Sequence, residues 1–290
     1  MSLATTLRAD AEGLAAPLPA LMAGAEHLAA TVLLGEHGRR KSGVGDAFWQ
    51  YRPAMAGDPM RIVDWRRSAR ADATFVQDKE WEIAQSVMLW VDGSAAMGFA
   101  SDPGLPTKAA RARVLALAVA ILLVRGGERV GLTGTILPPR RGAAQLSRLG
   151  EALLAADAAD YGTPDTRGMP PQSRALFVSD FLGDIAPVEA ALALASDRGV
   201  RGALVQVLDP QEEAFPFDGR TIFESMTGGL RHETLKAGDL RQRYLDRLAQ
   251  RKDRLAMLAR LSGWQFHTHH TGGPATAALL WIFGALERHA

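Results

Sequence analysis

The stretch Ser86 to Met97 constrains the fold of this chain more than any other. Within it, Val87 to Val91 is a continuous apolar run with β-branched and aromatic members. Such a run predicts a strand buried on both faces of a sheet. The run ends at Asp92-Gly93-Ser94, and a helix is predicted over Lys108 to Arg125. A buried strand that delivers a carboxylate and a hydroxyl into a strand-to-helix turn is typical of ligand sites in open α/β sheets.

Composition limits the class of protein. With 290 residues, of which 47% are hydrophobic and 22% charged, the chain can bury a sizeable core. The formal net charge of +1 argues against nucleic acid as a partner. The absence of cysteine excludes disulfides, thiolate metal sites and a cysteine nucleophile. No secretory signal layout is seen and the apolar runs are too short to span a bilayer, so we expect a cytoplasmic protein without direct membrane insertion.

Strands and helices alternate after the central turn. Further apolar strands are predicted over Arg129 to Thr135, Arg174 to Ser179 and Ala203 to Leu208, each separated from the next by a helical segment. This alternation predicts an α/β fold with a doubly wound, mainly parallel sheet flanked by helices.

Two regions are expected. Residues 1–80 are predicted to form an N-terminal helix, over Leu18 to Leu34, and an irregular Arg/Asp/Trp-rich module packed on the sheet. Thr74 to Val76 predicts a short strand that pairs with the strand following it. Residues 81–290 are predicted to form the α/β domain, with an inserted hairpin near 221–235, where two short β-prone runs flank Thr227-Gly228-Gly229.

Two carboxylates follow buried strands. Asp92 and Asp180 each directly follow one. If Ser86–Val91 is strand one and Arg174–Ser179 is strand four of a sheet with the order 3-2-1-4-5-6, these two strands are neighbours. Both acids and the Ser94 hydroxyl would then converge on one crevice. This all-oxygen environment suits Mg²⁺, Mn²⁺ or Ca²⁺. Alternatively, the two acids cap the helices that follow them.

Two motifs resemble known families. Asp92 to Met97 resembles the Asp-x-Ser-x-Ser metal-ion-dependent adhesion site of von Willebrand factor A domains. Gly57 to Arg70 is similar to the signature of domain-of-unknown-function family fifty-eight, a von Willebrand A-like bacterial family. The matching positions of this second, more specific motif are Gly57, Asp58, Arg61, Asp64, Trp65, Ser68 and Arg70.

The resemblance implies a non-enzymatic protein-interaction domain. It also implies partners, namely a MoxR-type AAA+ ATPase and membrane-anchored von Willebrand A proteins, and work in the assembly or maturation of a protein complex. The metal ligands it implies are Asp92, Ser94 and Asp180, with Thr163 as the nearest candidate for the loop threonine. Ala96 stands where the motif has its last serine, so we expect a degenerate site that binds Mg²⁺ or Mn²⁺ weakly.

An enzyme is the alternative. A metal-dependent hydrolase or phosphotransferase could use the crevice of Asp92, Ser94 and Asp180. A serine, an acid and a histidine from the His267-Thr268-His269-His270 cluster occur in the chain order of α/β hydrolases, but Gly-x-Ser-x-Gly is absent. The histidine cluster itself is consistent with a soft metal site or with a polar strand end.

The basic segment from His37 to Arg70 has two interpretations. It holds eight Lys/Arg against three Asp/Glu, which is consistent with a nucleic-acid patch. The alternative is an internal polar clamp, in which Asp58 and Asp64 pair with arginines while Trp65 supplies an apolar anchor. The apolar residues beside Trp65 favour the clamp, and we expect it to hold the fold together.

Overall fold

The computed structural model describes residues 42–43, 47–55, 58, 60, 63–70, 73–80, 85–154, 159–229 and 231–287, together with Thr5. Apart from Thr5, these residues divide between two compact units, one lying within 20–84 and the other beginning at Gln85. The predicted helix over Leu18 to Leu34 lies outside the described residues.

The first unit contains a small antiparallel sheet. Its strands are β1 (Ser42–Gly43), β2 (Ala47–Pro53) and β3 (Phe75–Glu80), and β3 pairs with both of the others. A helical turn, α1 (Trp65–Ser68), precedes β3. The sequence predicted an irregular module here. The prediction that the strand at Thr74 pairs with the strand following it is wrong, because β3 pairs with the two strands that precede it while β4 pairs with β5 and β6. The register of β2 shifts between Phe48 and Gln50, which interrupts the two-residue alternation by which a strand is recognised.

The second unit contains a five-stranded parallel sheet. Its strands are β4 (Ser86–Val91), β5 (Arg129–Leu132), β6 (Arg174–Ser179), β7 (Arg201–Leu208) and, later in the chain, β10 (Gln265–His270). The spatial order is β10-β7-β6-β4-β5, and every neighbouring pair is parallel. The predicted mainly parallel, doubly wound α/β fold is therefore confirmed.

The predicted strand order 3-2-1-4-5-6 is wrong. Counted within the parallel sheet, the observed order is 2-1-3-4-5, the other common doubly wound arrangement. Only β5 is added on one side of β4 before the chain crosses to the other side, so β6 is the third strand. The winding still reverses between β4 and β6, which makes these two strands neighbours as expected.

Helices cover both faces of this sheet. They are α2 (Lys108–Arg125), α3 (Ala143–Leu153), α4 (Ala186–Asp197), the short α5 (Pro210–Ala214), α6 (Gly238–Leu261) and α7 (Ala275–Glu287). On one face α2 packs against α7, and on the other α4 packs against α6. The middle of α2 is buried on all sides, which matches its uniformly apolar sequence.

The face under α4 and α6 is built around aromatic side chains. Alternate residues of the strands point to it, so Met88, Trp90 and Phe177 share one buried cluster with Trp264. Phe177 and Trp264 have ring centroids 4.9 Å apart. This packing fixes the strands whose carboxyl ends carry the candidate site.

An antiparallel hairpin precedes α6. It consists of β8 (Thr221–Glu224) and β9 (Arg231–Thr234), paired from Thr221 opposite Thr234 to Glu224 opposite Arg231. Among the described residues, no helix combines the length and the apolar character that crossing a membrane requires.

Candidate functional site at the carboxyl edge of the parallel sheet

Asp92 is held in place on every side. Its backbone N–H donates to the Val178 carbonyl (2.9 Å), which extends the ladder between β4 and β6. Its side chain is 2% exposed, with Oδ1 accepting from the Ser94 N–H (2.8 Å) and Oδ2 from the Ser179 hydroxyl (2.6 Å). The backbone of Gly162 covers the carboxylate so closely that a Cβ there would lie 2.2 Å from Oδ1. Only glycine fits that position without displacement.

Asp180 is paired with a buried lysine. Its Oδ1 accepts from the Leu182 N–H (3.0 Å), and its Oδ2 accepts from Lys108 Nζ (2.7 Å). Lys108 is the first residue of α2 and is 1% exposed. The same ammonium also donates to Glu212 Oε1 at 2.6 Å. Lys108, Asp180 and Glu212 therefore form a triad with one positive and two negative charges, in which the first two side chains are buried and that of Glu212 is 16% exposed.

The electrostatics of the triad keep the lysine charged. Burial by itself would lower the pKa of Lys108, but the charges of Asp180 and Glu212 outweigh it and raise that pKa above its usual range. Burial raises the pKa of the Glu212 carboxyl, an effect that Lys108 opposes. Glu212 is fixed by a capping box at the start of α5, where its Oε2 accepts from the Asp209 N–H (2.9 Å).

The predicted metal ligands fit a divalent ion poorly. The structure brings Asp92, Ser94 and Asp180 to the same edge of the sheet, but all four carboxylate oxygens already accept hydrogen bonds. The Ser94 Oγ is buried and has no partner among the described residues. Thr163 is exposed. Within the described part of the chain no cluster of three or more His, Cys, Asp or Glu has the arrangement of a metal site.

A pocket opens above the triad. Its volume is about 220 Å³, and Lys108, Asp180 and Glu212 contribute to its lining. Six aromatic side chains form much of its wall: Phe99, Tyr161, Phe215, Phe217, Phe223 and Tyr244. We call this space the aromatic pocket. It belongs entirely to the second unit, and its lining comes from α2, α5, the β8–β9 hairpin, α6 and the loops between elements of this unit.

The side chains of the aromatic wall pack against one another and lie close to negatively charged carboxylates. Phe215 lies 4.7 Å from Tyr244 and 5.6 Å from Phe223 between ring centroids. Burial, reinforced by the charges of Glu212 and Asp180, raises the pKa of the Tyr244 hydroxyl far above its usual range. Phe215 adopts a left-handed backbone conformation (φ 43°), an arrangement that costs energy and is concentrated at functional sites.

The histidines of β10 (His267, His269 and His270) do not belong to this site. β10 is separated from β6 by β7, and each histidine has its own partner. His267 stacks on Trp281 (4.7 Å between centroids), His269 Nε2 lies 3.3 Å from an Arg111 guanidinium nitrogen, and His270 pairs with Glu213.

The family motif makes local contacts in the first unit. Asp64 caps α1 by accepting from the Arg67 N–H (3.0 Å), and the Ser68 hydroxyl accepts from the Phe75 N–H (2.8 Å). Asp58 Oδ2 accepts from the Met55 N–H (2.7 Å). Gly57 and Arg61 lie outside the described residues, and Arg70 is exposed.

The predicted anchoring role of Trp65 is wrong. Its side chain is 59% exposed, and α1 buries none of its residues. The helix is a single turn of four residues, which leaves this side chain largely in solvent. The clamp therefore includes backbone N–H groups that donate to Asp64 and Ser68 and a side-chain hydrogen bond between Asp64 and Tyr51, without an apolar anchor at Trp65.

Sequence reasoning missed Lys108 and Glu212. A cation at the first position of a helix is disfavoured by the helix dipole, so Lys108 directly after the Thr107 cap was a sign that carboxylates elsewhere hold it. Asp209-Pro210-Gln211-Glu212 has the spacing of a capping box, which could have placed Glu212 at the same edge of the sheet.

The fold and the site define a doubly wound α/β domain with a charged crevice at its switch point. A family model described as "Protein of unknown function DUF58" matches residues 50–254. The chain belongs to this family.

Similar solved structures come from two Bacteroides species. An aerotolerance-related membrane protein from Bacteroides fragilis, with multiple mutations to serines, is 18% identical, with a TM-score of 0.40 over 70% of this chain and 98% of that one. The conserved hypothetical protein BatB from Bacteroides thetaiotaomicron is 14% identical, with the same TM-score and coverage. No curated protein matches the chain significantly.

Proposed function

We propose that this chain is a non-enzymatic protein-interaction domain of von Willebrand A type. In this proposal it works with a MoxR-type AAA+ ATPase and membrane-anchored von Willebrand A proteins, on the cytoplasmic side, in the assembly or maturation of a protein complex. The observation that carries the proposal is the position of Lys108, whose ammonium lies between Asp180 and Glu212 in the crevice.

The protonation and the hydrogen bonds of the crevice side chains favour a binding site over a catalytic one. A lysine whose pKa is raised stays protonated and is a poor nucleophile. The Ser94 Oγ has no hydrogen-bonded base among the described residues, and an activated serine requires one. Both oxygens of Asp92 are already hydrogen-bonded and covered by Gly162, which disfavours attack on a phosphoryl group.

The same triad supports a site that works without a metal ion. The Lys108 ammonium supplies positive charge to Asp180, the acid that a divalent ion would need as a ligand. A metal bound there must displace the buried lysine from Asp180 and leave its charge without that partner. We therefore propose that Mg²⁺ and Mn²⁺ bind weakly and that partner binding does not require them.

Two measurements test the proposal. Biolayer interferometry of the full chain against the MoxR-type ATPase encoded in the same genome should show saturable binding that survives replacement of Mg²⁺ by EDTA in nucleotide-free buffer. Isothermal titration with Mg²⁺ or Mn²⁺ should give little heat at micromolar concentrations. Tight stoichiometric metal binding that Asp92→Ala abolishes would contradict the metal-independent site.

The enzyme alternative has its own test. Hydrolysis of p-nitrophenyl acetate and p-nitrophenyl phosphate should be the same for the parent protein and for Asp92→Ala and Ser94→Ala. Turnover that either substitution removes would establish a hydrolase and overturn the proposal.

A further inference from the structure

We infer that the aromatic pocket binds an arginine side chain presented by a partner protein. The inference rests on the proposed function, since it names the chemistry by which an interaction domain of this kind would recognise its partner. It is carried by the charge, the wall and the rim of the pocket.

The charge of the pocket favours a cation. Asp160, Asp180, Glu212 and Glu224 line it together with a single ammonium, that of Lys108, so its formal net charge is −3. Because Lys108 already donates to two carboxylates, it has no unbalanced charge to offer an anion. An anionic or phosphorylated ligand would meet repulsion on every side.

The wall of the pocket selects the kind of cation. Aromatic faces attract a guanidinium through their quadrupole, and arginine stacks on them more readily than lysine because it is flatter and less strongly hydrated. Phe217 and Phe223 meet at 5.4 Å with their rings perpendicular, so the wall offers both a face and an edge. The volume of about 220 Å³ is below the usual range for drug-sized ligands, which favours a single side chain.

The rim indicates that a protein carries this side chain. Met226, in the turn of the hairpin, and Tyr161 both line the pocket, and they are 53% and 41% exposed. Apolar side chains around a polar, charged pocket are typical of protein–protein contact surfaces, where an anchor residue enters a pocket and its neighbours exclude water. A free amino acid or polyamine would leave these side chains uncovered.

Binding of short peptides to the full chain tests the inference. Saturation-transfer difference NMR compares acetyl-glycyl-arginyl-glycinamide with the counterpart that carries norleucine, which keeps an apolar chain but lacks the charge. We expect the arginine peptide to bind at least about tenfold more tightly, and its affinity to fall as NaCl is raised. Equal binding of the norleucine peptide would show a merely apolar pocket and overturn the inference.

Paired variants locate the binding. Phe217→Leu removes an aromatic face and Glu224→Gln removes a rim charge, and each should weaken arginine-peptide binding about threefold to tenfold. Glu233→Gln is the matched control, because Glu233 lies on the same hairpin but pairs with Arg220 instead of lining the pocket. Circular dichroism melts verify that every variant is folded. Equal affinities of Glu224→Gln and Glu233→Gln would also contradict the inference.

Failure of the inference is distinguishable from failure of the proposed function. If the parent protein binds the ATPase yet shows no preference for arginine, the pocket chemistry is wrong and the interaction domain stands. If the arginine preference is found but the ATPase does not bind, the named partner is wrong and the pocket stands.

Discussion

Lys108→Met tests the triad most directly. The substitution keeps an unbranched side chain of similar length but removes a charge that is 1% exposed and lies 2.7 Å from Asp180 and 2.6 Å from Glu212. The buried Asp180 and the partly buried Glu212, whose side chain is 16% exposed, are then left without their cation. Breaking a buried ion pair in this way costs about 3–5 kcal/mol of unfolding free energy. For a unit of this size that corresponds to a fall in Tm of about 6–20 °C.

The matched control is Lys252→Met. Lys252 pairs with Glu213, the neighbour of Glu212, but its side chain is 23% exposed and that of Glu213 is 38% exposed. Such partly exposed pairs contribute about 0–1 kcal/mol. Urea denaturation followed by tryptophan fluorescence should therefore separate two identical substitutions by at least about 2 kcal/mol.

The pH dependence of the Lys108→Met variant provides a second readout. Lys108 opposes the rise that burial causes in the pKa of Glu212, so its removal raises that pKa further. A carboxyl whose pKa is higher in the folded state than in the unfolded state binds more protons when folded, so lowering the pH through that folded pKa stabilises the variant. Adding Asp180→Asn and Glu212→Gln should recover most of the lost stability.

Equal stabilities of the two lysine variants would contradict the role of Lys108 in the triad. If Lys108→Met unfolds within about 1 kcal/mol of Lys252→Met and shows no recovery at lower pH, the ammonium is not holding buried carboxylates. The Lys108 ammonium would then not act as the internal cation of the crevice, and the proposed metal-independent site would be wrong.

Two further predictions concern other positions. Gly162→Ala should lower the unfolding free energy measured in urea by about 1–3 kcal/mol, because the added Cβ would lie 2.2 Å from Asp92 Oδ1. The matched control is Gly284→Ala, which lies in a helix and has no atom within 4 Å of the added Cβ. This control should be neutral or stabilising. Burial and the neighbouring Arg111 lower the pKa of His269 to about 4. As the pH is lowered, the unfolded state therefore binds the proton before the folded state does. Stability should fall as the pH is lowered from about 6.5 to about 4. His269→Gln should flatten that dependence in thermal melts, and an unchanged slope would show that another group causes it.

The strands were predictable because burial on both faces leaves an unmistakable pattern. Val87 to Val91 is apolar at every position, and β4 is buried throughout its middle. The order of the strands was not predictable in the same way. Nothing in the residues of β5 or β6 states on which side of β4 each one pairs, since both are apolar and both are followed by helices. In both common orders the winding reverses beside the first strand, and the prediction that β6 lies across that reversal from β4 is confirmed, although β6 is the third strand and not the fourth.

Of the side chains in the candidate site, the two acids that follow strands were predictable from the sequence, but their partners were not. Asp92 and Asp180 directly follow buried strands, so topology alone brings them together. The partner of Asp180 comes from the start of a helix, and a lysine there ordinarily points to solvent. Its burial depends on Glu212, which is 104 residues distant in sequence and fixed by the cap of another helix. A contact that needs three elements at once leaves only weak local signals.

In the proposed function, the identity of the cation in the crevice determines which partners the site can recognise. A metal ion with an open coordination position attracts a carboxylate from a partner, because a hard cation prefers oxygen ligands. The Lys108 ammonium cannot do this, since it is 1% exposed and its charge is already matched by Asp180 and Glu212. With the internal cation neutralised, the carboxylates that line the aromatic pocket set its potential, and that potential is negative. A lysine in place of a metal therefore reverses the preferred charge of the ligand, from an acidic side chain to a basic one.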